Sequence, residues 1–398
     1  MAGVTLPAAD WRARPGLDRL IDALDGAHGM ARWVGGAVRD SLLGLPVADL
    51  DLATRFAPEE VVRRLEAAGI KAVPTGIAHG TVTAVSDGTV VEVTTLRRDV
   101  ATDGRHAVVA FSDDWREDAT RRDFTMNALY ADPLTGEVFD WFGGLDDLAA
   151  RRVRFIGDPY RRIAEDHLRI LRFFRFHARF GDAIDADGLD ACVARANDLM
   201  ALSRERIAAE LLKLLVAPGA VPVVTLMEAR GIFRPVLPEI DAAGVARLAA
   251  LATRESAAGI APDAIRRLAA LVAPAAAEGV GARLKLSNND RKRLIQASAG
   301  PGDEGACALG YRVGIDSAID RLLLAGADPG ALVGWERPAL PIGGGALVAR
   351  GLAKGPDVAR TLRAVEDRWI AEGFPPGDRV EAIADEEVAQ ALRSRRNA

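Results

Sequence analysis

Two aspartates separated by one residue are the first candidates for metal-binding catalytic residues. Asp49 and Asp51 lie in ADLDLAT, which alternates polar and apolar residues as a strand does. Strand side chains two positions apart point to the same face with Cα atoms about 7 Å apart, so both carboxylates can converge on one or two Mg²⁺ ions. The spacing predicts Asp49 and Asp51 as metal ligands. For an isolated Asp-x-Asp, a loop or a solvated edge is the alternative.

A glycine turn precedes the two aspartates by the length of one helix. Gly35 and Gly36 in WVGGAVRDSLL are predicted to open a short helix. The first N–H groups of a helix have no partner within it and can receive phosphate oxygens. Arg39 is predicted to bind the same phosphate through its positive charge. Alone, the glycine pair is weak evidence for a phosphate-binding site. The two aspartates that follow it strengthen that prediction.

A third acid lies in the β-rich run VVEVTTLR. Glu92 is surrounded there by apolar residues, and a carboxylate in an apolar setting is costly unless it is paired or bound to a metal. One interpretation makes Glu92 the third catalytic acid. The other pairs it with Arg97 or Arg98 on an outward face, and the sequence favours neither.

A second cluster occurs in EDHLRILR. On a helix, Asp166 and Arg169 are three apart and share a face, so an acceptor and a forked donor can reach the edge of one base. That pattern fits cytosine and adenine and not guanine or uracil, and Glu165 can brace the Arg169 guanidinium. Arg172 and Arg175 continue the stripe as further nucleotide contacts. The alternative is a surface helix whose ion pairs contribute tenths of a kcal/mol each.

The elements that must position these residues fall into a strand-rich part followed by helices. Short strands, a glycine turn and an amphipathic helix alternate early in the chain, and two β-rich runs flank a predicted turn at Ser86-Asp87-Gly88-Thr89. Helical periodicity prevails from Asp158 onward, and the amphipathic stretch RIAEDHLRILRFFRFHARF is predicted to pack Phe173, Phe174, Phe176 and Phe180 into the core. We predict an α+β protein with a mixed-sheet head at 1–150, a helical neck at 151–220, a helical body at 221–335 and a helical tail at 336–398.

Composition and charge narrow the class of protein. The chain has 398 residues, 49% hydrophobic and 27% charged, with two cysteines and a formal net charge of −5. We see no membrane segment and no secretory signal, and with so few cysteines we expect a cytoplasmic protein. Residues 151–180 nevertheless contain nine arginines and three acids, a local surplus that suits a phosphate-bearing partner. No protein partner is predicted.

The order of these motifs resembles a known family, the class II tRNA nucleotidyltransferases or CCA-adding enzymes, with the related bacterial poly(A) polymerases. The resemblance covers about the first 215 residues in unbroken order, and its motifs are GGAVRD with the Asp-x-Asp pair, HGTVT, EVTTLR, RRDFTMNA, FDWFGGLDDL, EDHLRILRFFRF and SRERIAAELLKLL. Farther on, only PIGGGALVARGLAKGP is similar to the family tail.

The resemblance implies a polymerase-β-like nucleotidyltransferase head. It implies that Asp49 and Asp51 bind Mg²⁺ and position the 3′-hydroxyl of RNA for attack on the α-phosphate of a nucleotide, with pyrophosphate leaving. It also implies that the glycine turn holds the triphosphate with Arg39 and with Arg121 or Arg122 of RRDFTMNA. One of the last two arginines can instead form only a helix-end salt bridge.

The implied reaction is stepwise addition of C, C and A to the 3′ end of tRNA from CTP and ATP. In the family, a pair like Asp166 and Arg169 serves as a protein template in place of a nucleic-acid one. Alternatives are a poly(A) polymerase, a partial A-adding or CC-adding enzyme, and a catalytically silent RNA-binding module. ATRFAPEEVVRRL after Asp51 lacks the glycine-and-basic run typical of the polymerase branch.

Overall fold

The computed structural model describes residues 3–77, 80–102 and 107–396. His79, the first residue of the HGTVT motif, lies outside them. The chain forms two compact units, Met1–Ala242 and Ala243–Ala398. The finer division into head, neck, body and tail therefore stays a prediction.

A mixed sheet is the centre of the head. The strands of the described residues are β1 Ala31–Val34, β2 Asp51–Thr54, β3 Lys71–Gly76, β4 Thr81–Ser86, β5 Thr89–Thr95, β6 Arg97–Thr102, β7 Ala107–Phe111, β8 Tyr130–Ala131 and β9 Val138–Phe139. The strand order of the sheet is β3-β4-β5-β2-β1-β8-β9, and a separate hairpin pairs β6 with β7. Neighbours are antiparallel except for β2 and β5, which run parallel.

The turn between β4 and β5 fixes which side chains of β5 face outward. Asp87 and Gly88 both have positive φ, 47° and 84°, as the tight two-residue hairpin turn requires, and the predicted turn is confirmed. Along β5 the burial alternates, with Val91 and Val93 buried and Glu92 exposed. Glu92 is therefore not in an apolar setting as the sequence suggested; it lies on the open face of the strand.

Ten helices are found in the described part of the first unit: α1 Leu17–Ala23, α2 Gly36–Leu42, α3 Pro58–Ala67, α4 Trp115–Thr120, α5 Gly144–Ala149, α6 Pro159–Glu165, α7 Arg169–Phe180, α8 Ala186–Ala194, α9 Arg204–Leu215 and α10 Ala220–Ala229. Helix α7 is strongly amphipathic. Its Phe173, Phe174 and Phe176 are buried, which confirms that they form core, and its arginines lie on the more accessible face.

The second unit is helical throughout its described residues. Its helices are α11 Ala242–Ala257, α12 Ala264–Leu271, α13 Ala277–Arg283, α14 Asn288–Ala297, α15 Ala306–Val313, α16 Ile315–Ala325, α17 Gly344–Ala349, α18 Pro356–Ala371 and α19 Gly377–Arg396. A buried cluster that includes Tyr311, Val365, Trp369 and Ile383 forms one core. The predicted α+β class, a mixed sheet followed by helices, is confirmed. In the described residues no helix is both long and apolar enough to cross a membrane.

Candidate active site

Three carboxylates meet at one end of the parallel strand pair. Asp51 begins β2 and lies opposite Glu92 of β5 in the strand register, and the Glu92 N–H donates to the Leu50 carbonyl at 2.9 Å. Asp49 precedes the strand in a segment without regular secondary structure. All three acids line one open cavity of about 570 Å³, which we call the acidic cavity. The sequence predicted both aspartates within a strand, whereas the strand begins only at Asp51.

The charges in the acidic cavity repel one another. Burial raises the pKa of Asp51, Arg122 lowers it, and the neighbouring Glu92 and Asp49 carboxylates raise it again. Within the described side chains, no Lys or Arg forms an ion pair with any of these three acids. A bound cation would relieve the repulsion, so the donor set fits a hard divalent metal.

The protein supplies only part of a coordination sphere. In the described ranges, no group of three or more His, Cys, Asp or Glu side chains is placed to hold a metal ion by itself. Mg²⁺ is ordinarily held by one or two carboxylates together with water and the phosphates of a substrate. Asp49 and Asp51 match that kind of site, in which the nucleotide completes the shell.

Gly35 brings the start of α2 close to the head arginines. Its φ of 66° and ψ of −119° are unfavourable for a residue with a side chain, and a Cβ there would lie 3.3 Å from Nη1 of Arg122. The Gly35 N–H donates to the Leu129 carbonyl at 3.2 Å. That N–H is therefore engaged with the sheet, unlike the free donor expected from the sequence.

Arg39 is buried rather than open to solvent, with 6% of the residue exposed. Its Nε donates to Asp40 at 2.8 Å and its Nη1 to Asn127 at 2.6 Å, and its guanidinium lies 4.3 Å from the centre of the Phe180 ring. Burial lowers the pKa of Arg39, while Asp40 raises it. A phosphate would have to displace these partners, so the clamp role of Arg39 stays a prediction.

Arg121 and Arg122 share the carboxylate of Asp118, which is only 1% exposed. Asp118 accepts from Arg121 Nε at 2.8 Å, from Arg122 Nη2 at 3.4 Å and from the Tyr130 hydroxyl at 2.5 Å. Burial raises the pKa of Asp118, but the two arginines outweigh it and bring the pKa to about 2. The sequence missed Asp118, although its spacing of three and four from the arginines was a usable signal.

Arg121 and Arg122 face different neighbours. Nη1 of Arg122 lies toward Gly35, and its charge acts on Asp51 in the acidic cavity. Burial lowers the pKa of Arg122, yet Tyr130 and Asp118 raise it above its usual range. Arg121 instead offers its carbonyl to Arg169 at 2.8 Å. Of the two, Arg122 is the better placed for a triphosphate above the acidic cavity.

The single helix predicted through EDHLRILR is wrong. Helix α6 ends at Glu165, Asp166 is extended with φ −151° and ψ 108°, and α7 begins at Arg169. The Asp166 carboxylate accepts the Leu168 N–H at 3.1 Å. Aspartate offers the backbone this alternative to a helical hydrogen bond, which is why the helix breaks here.

Asp166 and Arg169 are held by separate partners. Arg169 Nη1 donates to Glu165 at 2.7 Å, which confirms the predicted brace, and Nη2 donates to the Arg121 carbonyl. Nη2 of Arg206, on α9, reaches both oxygens of Asp166 at 3.0 and 2.9 Å. Sequence reasoning missed Arg206, because it is 40 residues from Asp166 and no local spacing connects them.

Arg172 and Arg175 also face carboxylates. Arg172 Nε donates to Asp123 at 2.7 Å, and Arg175 Nε donates to Glu210 at 2.5 Å. Burial raises the pKa of Asp123, but Arg172 and a hydrogen bond from Asn127 bring it to about 2. We call these pairs, with those of Asp118, Glu165 and Asp166, the arginine network. Most of its ion pairs join different elements.

Comparison with known proteins places this geometry in a family. Residues 31–154 match the model described as Poly A polymerase head domain, and residues 183–243 match that described as probable RNA and SrmB-binding site of polymerase A. The chain is 33% identical over 389 residues to the mitochondrial CCA tRNA nucleotidyltransferase 1 of Mus musculus, covering 90% of this chain and 87% of the relative. Its counterpart from Homo sapiens is 43% identical over 205 residues, 50% of this chain and 47% of the relative.

A solved structure extends the likeness to the fold. The CCA-adding enzyme of Bacillus stearothermophilus in complex with CTP superimposes with a TM-score of 0.75 at 28% identity, covering 96% of this chain and 99% of that one. This agreement spans the sheet that carries the acidic cavity and the helices that follow it. The identity to the mouse enzyme over most of both chains shows that this chain belongs to the family of CCA tRNA nucleotidyltransferases, the CCA-adding enzymes.

Proposed function

We propose that this protein is an enzyme that adds C, C and A to the 3′ end of tRNA from CTP and ATP, without a nucleic-acid template and with release of pyrophosphate. The convergence of Asp49, Asp51 and Glu92 on one cavity beside Arg122 carries the proposal. Family membership supports the substrates, since the Bacillus relative was solved with CTP and a Thermotoga maritima relative with tRNA.

In this proposal Asp49 and Asp51 hold Mg²⁺, and Glu92 lies beside them as a third acid. The ion supplies activation of the attacking hydroxyl and neutralisation of phosphate charge when it is bound. Arg122 contributes a fixed positive charge that acts on Asp51. The glycine turn at Gly35 lets the backbone and that guanidinium approach each other closely.

Base selection in this proposal is the task of Asp166 and Arg169. The carboxylate accepts a hydrogen bond from the amino group of cytosine or adenine, and the guanidinium donates to a ring nitrogen or to O2 of cytosine. Guanine and uracil present the opposite pattern at those positions. Glu165 and Arg206 hold the two groups in place beforehand, which lowers the cost of ordering them around a nucleotide.

The experiment uses tRNA that ends before CCA, with labelled CTP, ATP or both, and sizes the products on a gel. We expect one or two C with CTP alone and a defined CCA end with both nucleotides. Long A tails without CTP would instead indicate a poly(A) polymerase, and no incorporation would contradict the proposal. Glu92 forms no ion pair with Arg97 or Arg98 in the described structure, so Glu92→Ala tests the remaining interpretation: a third acid predicts a severe loss of rate, and a solvated carboxylate outside the metal site predicts almost none.

Two further expectations belong to this proposal. The helical neck at 151–220 would recognise the nucleotide base and the helical tail at 336–398 would contact tRNA, with the helical body at 221–335 between them in the sequence. The cytoplasmic location also stays a prediction, since the human and mouse relatives carry mitochondrial in their names.

A further inference from the structure

The second unit contains a pocket lined by arginines, with no acid among the described residues that line it. Its volume is about 280 Å³, and Arg247, Arg254 and Arg321 line it together with small residues such as Ala269 and Ala325. The arginines belong to α11 and α16. The alanine side chains of the lining are small, so a cavity remains between the arginines. We call it the arginine pocket.

Each guanidinium in the arginine pocket is fixed by a carbonyl near the C-terminal end of a helix. The bonds run from Arg247 Nε to Ala270 at 2.8 Å, from Arg254 Nη1 to Leu324 at 2.9 Å and from Arg321 Nε to Gln296 at 2.7 Å. These carbonyls lie at the ends of α12, α16 and α14. Further N–H groups of each guanidinium have no partner among the described residues.

Other arginines of the same unit are neutralised by carboxylates. Arg266 bonds to Glu255 and Asp320, both at 2.8 Å, and Arg293 bonds to Asp320 at 2.7 Å. The arginine pocket has no such compensation. Three helix ends supply only about half an elementary charge each, against three full positive charges, so an excess of roughly one and a half positive charges remains. That excess is concentrated in a chain whose formal net charge is −5.

We propose that the arginine pocket binds a phosphate group of the RNA backbone. A guanidinium fork matches two phosphate oxygens, and alanine methyl groups can contact the ribose carbons on either side. Because the chain is acidic overall, its affinity for a polyanion must come from local clusters of this kind. The inference rests on the proposed function, since tRNA is the polyanion that this function requires.

The test places a carboxylate in the arginine pocket without removing a guanidinium. Ala325 lies exposed on the pocket wall, so Ala325→Glu would pair with the arginines and compete with phosphate, while Ala325→Gln is the matched uncharged control. We expect the Kd for tRNA to rise about tenfold in the Glu variant. The slope of log Kd against log salt should fall by about 0.7–0.9 for each phosphate that the pocket no longer binds. The Gln variant should resemble wild type, and both should melt no lower than wild type.

Two further measurements, nucleotide incorporation and thermal stabilisation by inorganic phosphate, separate the explanations. Nucleotide incorporation at saturating tRNA should have the same kcat in the Glu variant, since the acidic cavity is unchanged. If the wild-type protein failed to incorporate nucleotides, only the proposed function would be contradicted. The tRNA affinities of the Glu and Gln variants would still test whether the arginine pocket binds RNA. Equal tRNA affinity and salt slope in the two variants would overturn the inference. So would a loss of thermal stabilisation by inorganic phosphate in the Glu variant with tRNA affinity unchanged, since the pocket would then hold a free anion.

Discussion

In the acidic cavity three carboxylates face one another with no cationic side chain bonded to any of them in the described structure, whereas in the arginine network every carboxylate receives at least one guanidinium. Burial and like charges raise the pKa of Asp51, while Asp118 and Asp123 have pKa values of about 2. Carboxylates that no guanidinium bonds are suited to receive an incoming cation, whereas carboxylates that each accept from a guanidinium hold their neighbours in fixed positions.

Neutralising one acid of the cavity should have the largest effect on catalysis. We expect Asp51→Asn to lose incorporation by roughly a thousandfold or more, since each 1.36 kcal/mol of lost transition-state stabilisation is tenfold in rate. The melting temperature should stay the same or rise, because a repelling charge is removed. Asp87→Asn, at the exposed hairpin turn, is the matched control and should keep full activity. Retained activity in Asp51→Asn would show that the acidic cavity is not the metal site.

The opposite result is expected in the arginine network. Asp118→Asn removes a buried carboxylate that serves two arginines and should reduce the free energy of unfolding by about 3 kcal/mol or more. Glu60→Gln breaks only surface pairs, an exposed one with Arg63 and a half-buried one with Arg64, and should cost under about 1 kcal/mol. Denaturant unfolding measures both. Similar losses in the two variants would mean that the buried pairs are no more important than surface ones.

Acid titration sharpens the same contrast. The folded pKa values of Asp118 and Asp123 are lowered from 3.8 to about 2, so the stability they contribute is complete above the unfolded value and is lost as the pH falls through the folded value. We expect wild type to lose stability between pH about 4 and 2. Asp118→Asn should show a shallower loss over that range. An unchanged pH dependence in the variant would contradict the assigned role of Asp118.

Selectivity among nucleotides should respond to the neck residues. Asp166→Ala removes the proposed acceptor for the base amino group, so UTP or GTP should compete with CTP and ATP, with discrimination falling roughly 10- to 100-fold. Arg206→Ala frees Asp166 from its only guanidinium partner in the described structure and should relax discrimination less, by about tenfold or under. Lys213→Ala, on the same helix as Arg206, is the control. If either variant slowed all four triphosphates by one factor, the templating role would be lost.

The features that could be predicted from the sequence are those set by residues close together in the chain. The hairpin turn at Asp87 and Gly88, the amphipathic α7 and the brace from Glu165 to Arg169 all follow from spacing within a few residues. The break at Asp166 was missed, because an aspartate that bonds to the backbone looks the same in sequence as one on a helix face. Arg206 and the pairs of Asp123 and Glu210 were missed because tertiary folding, not spacing, brings them together.

Divalent-ion binding at the acidic cavity can be measured without relying on catalysis. Electron paramagnetic resonance can count the Mn²⁺ bound to the full chain in the presence of CTP, for wild type and for the double variant Asp49→Asn, Asp51→Asn, with CTP binding measured separately. We expect wild type to bind Mn²⁺ together with the nucleotide, and the double variant to lose the ion while retaining measurable affinity for CTP. Equal Mn²⁺ binding by the two proteins would show that Asp49 and Asp51 do not hold the metal.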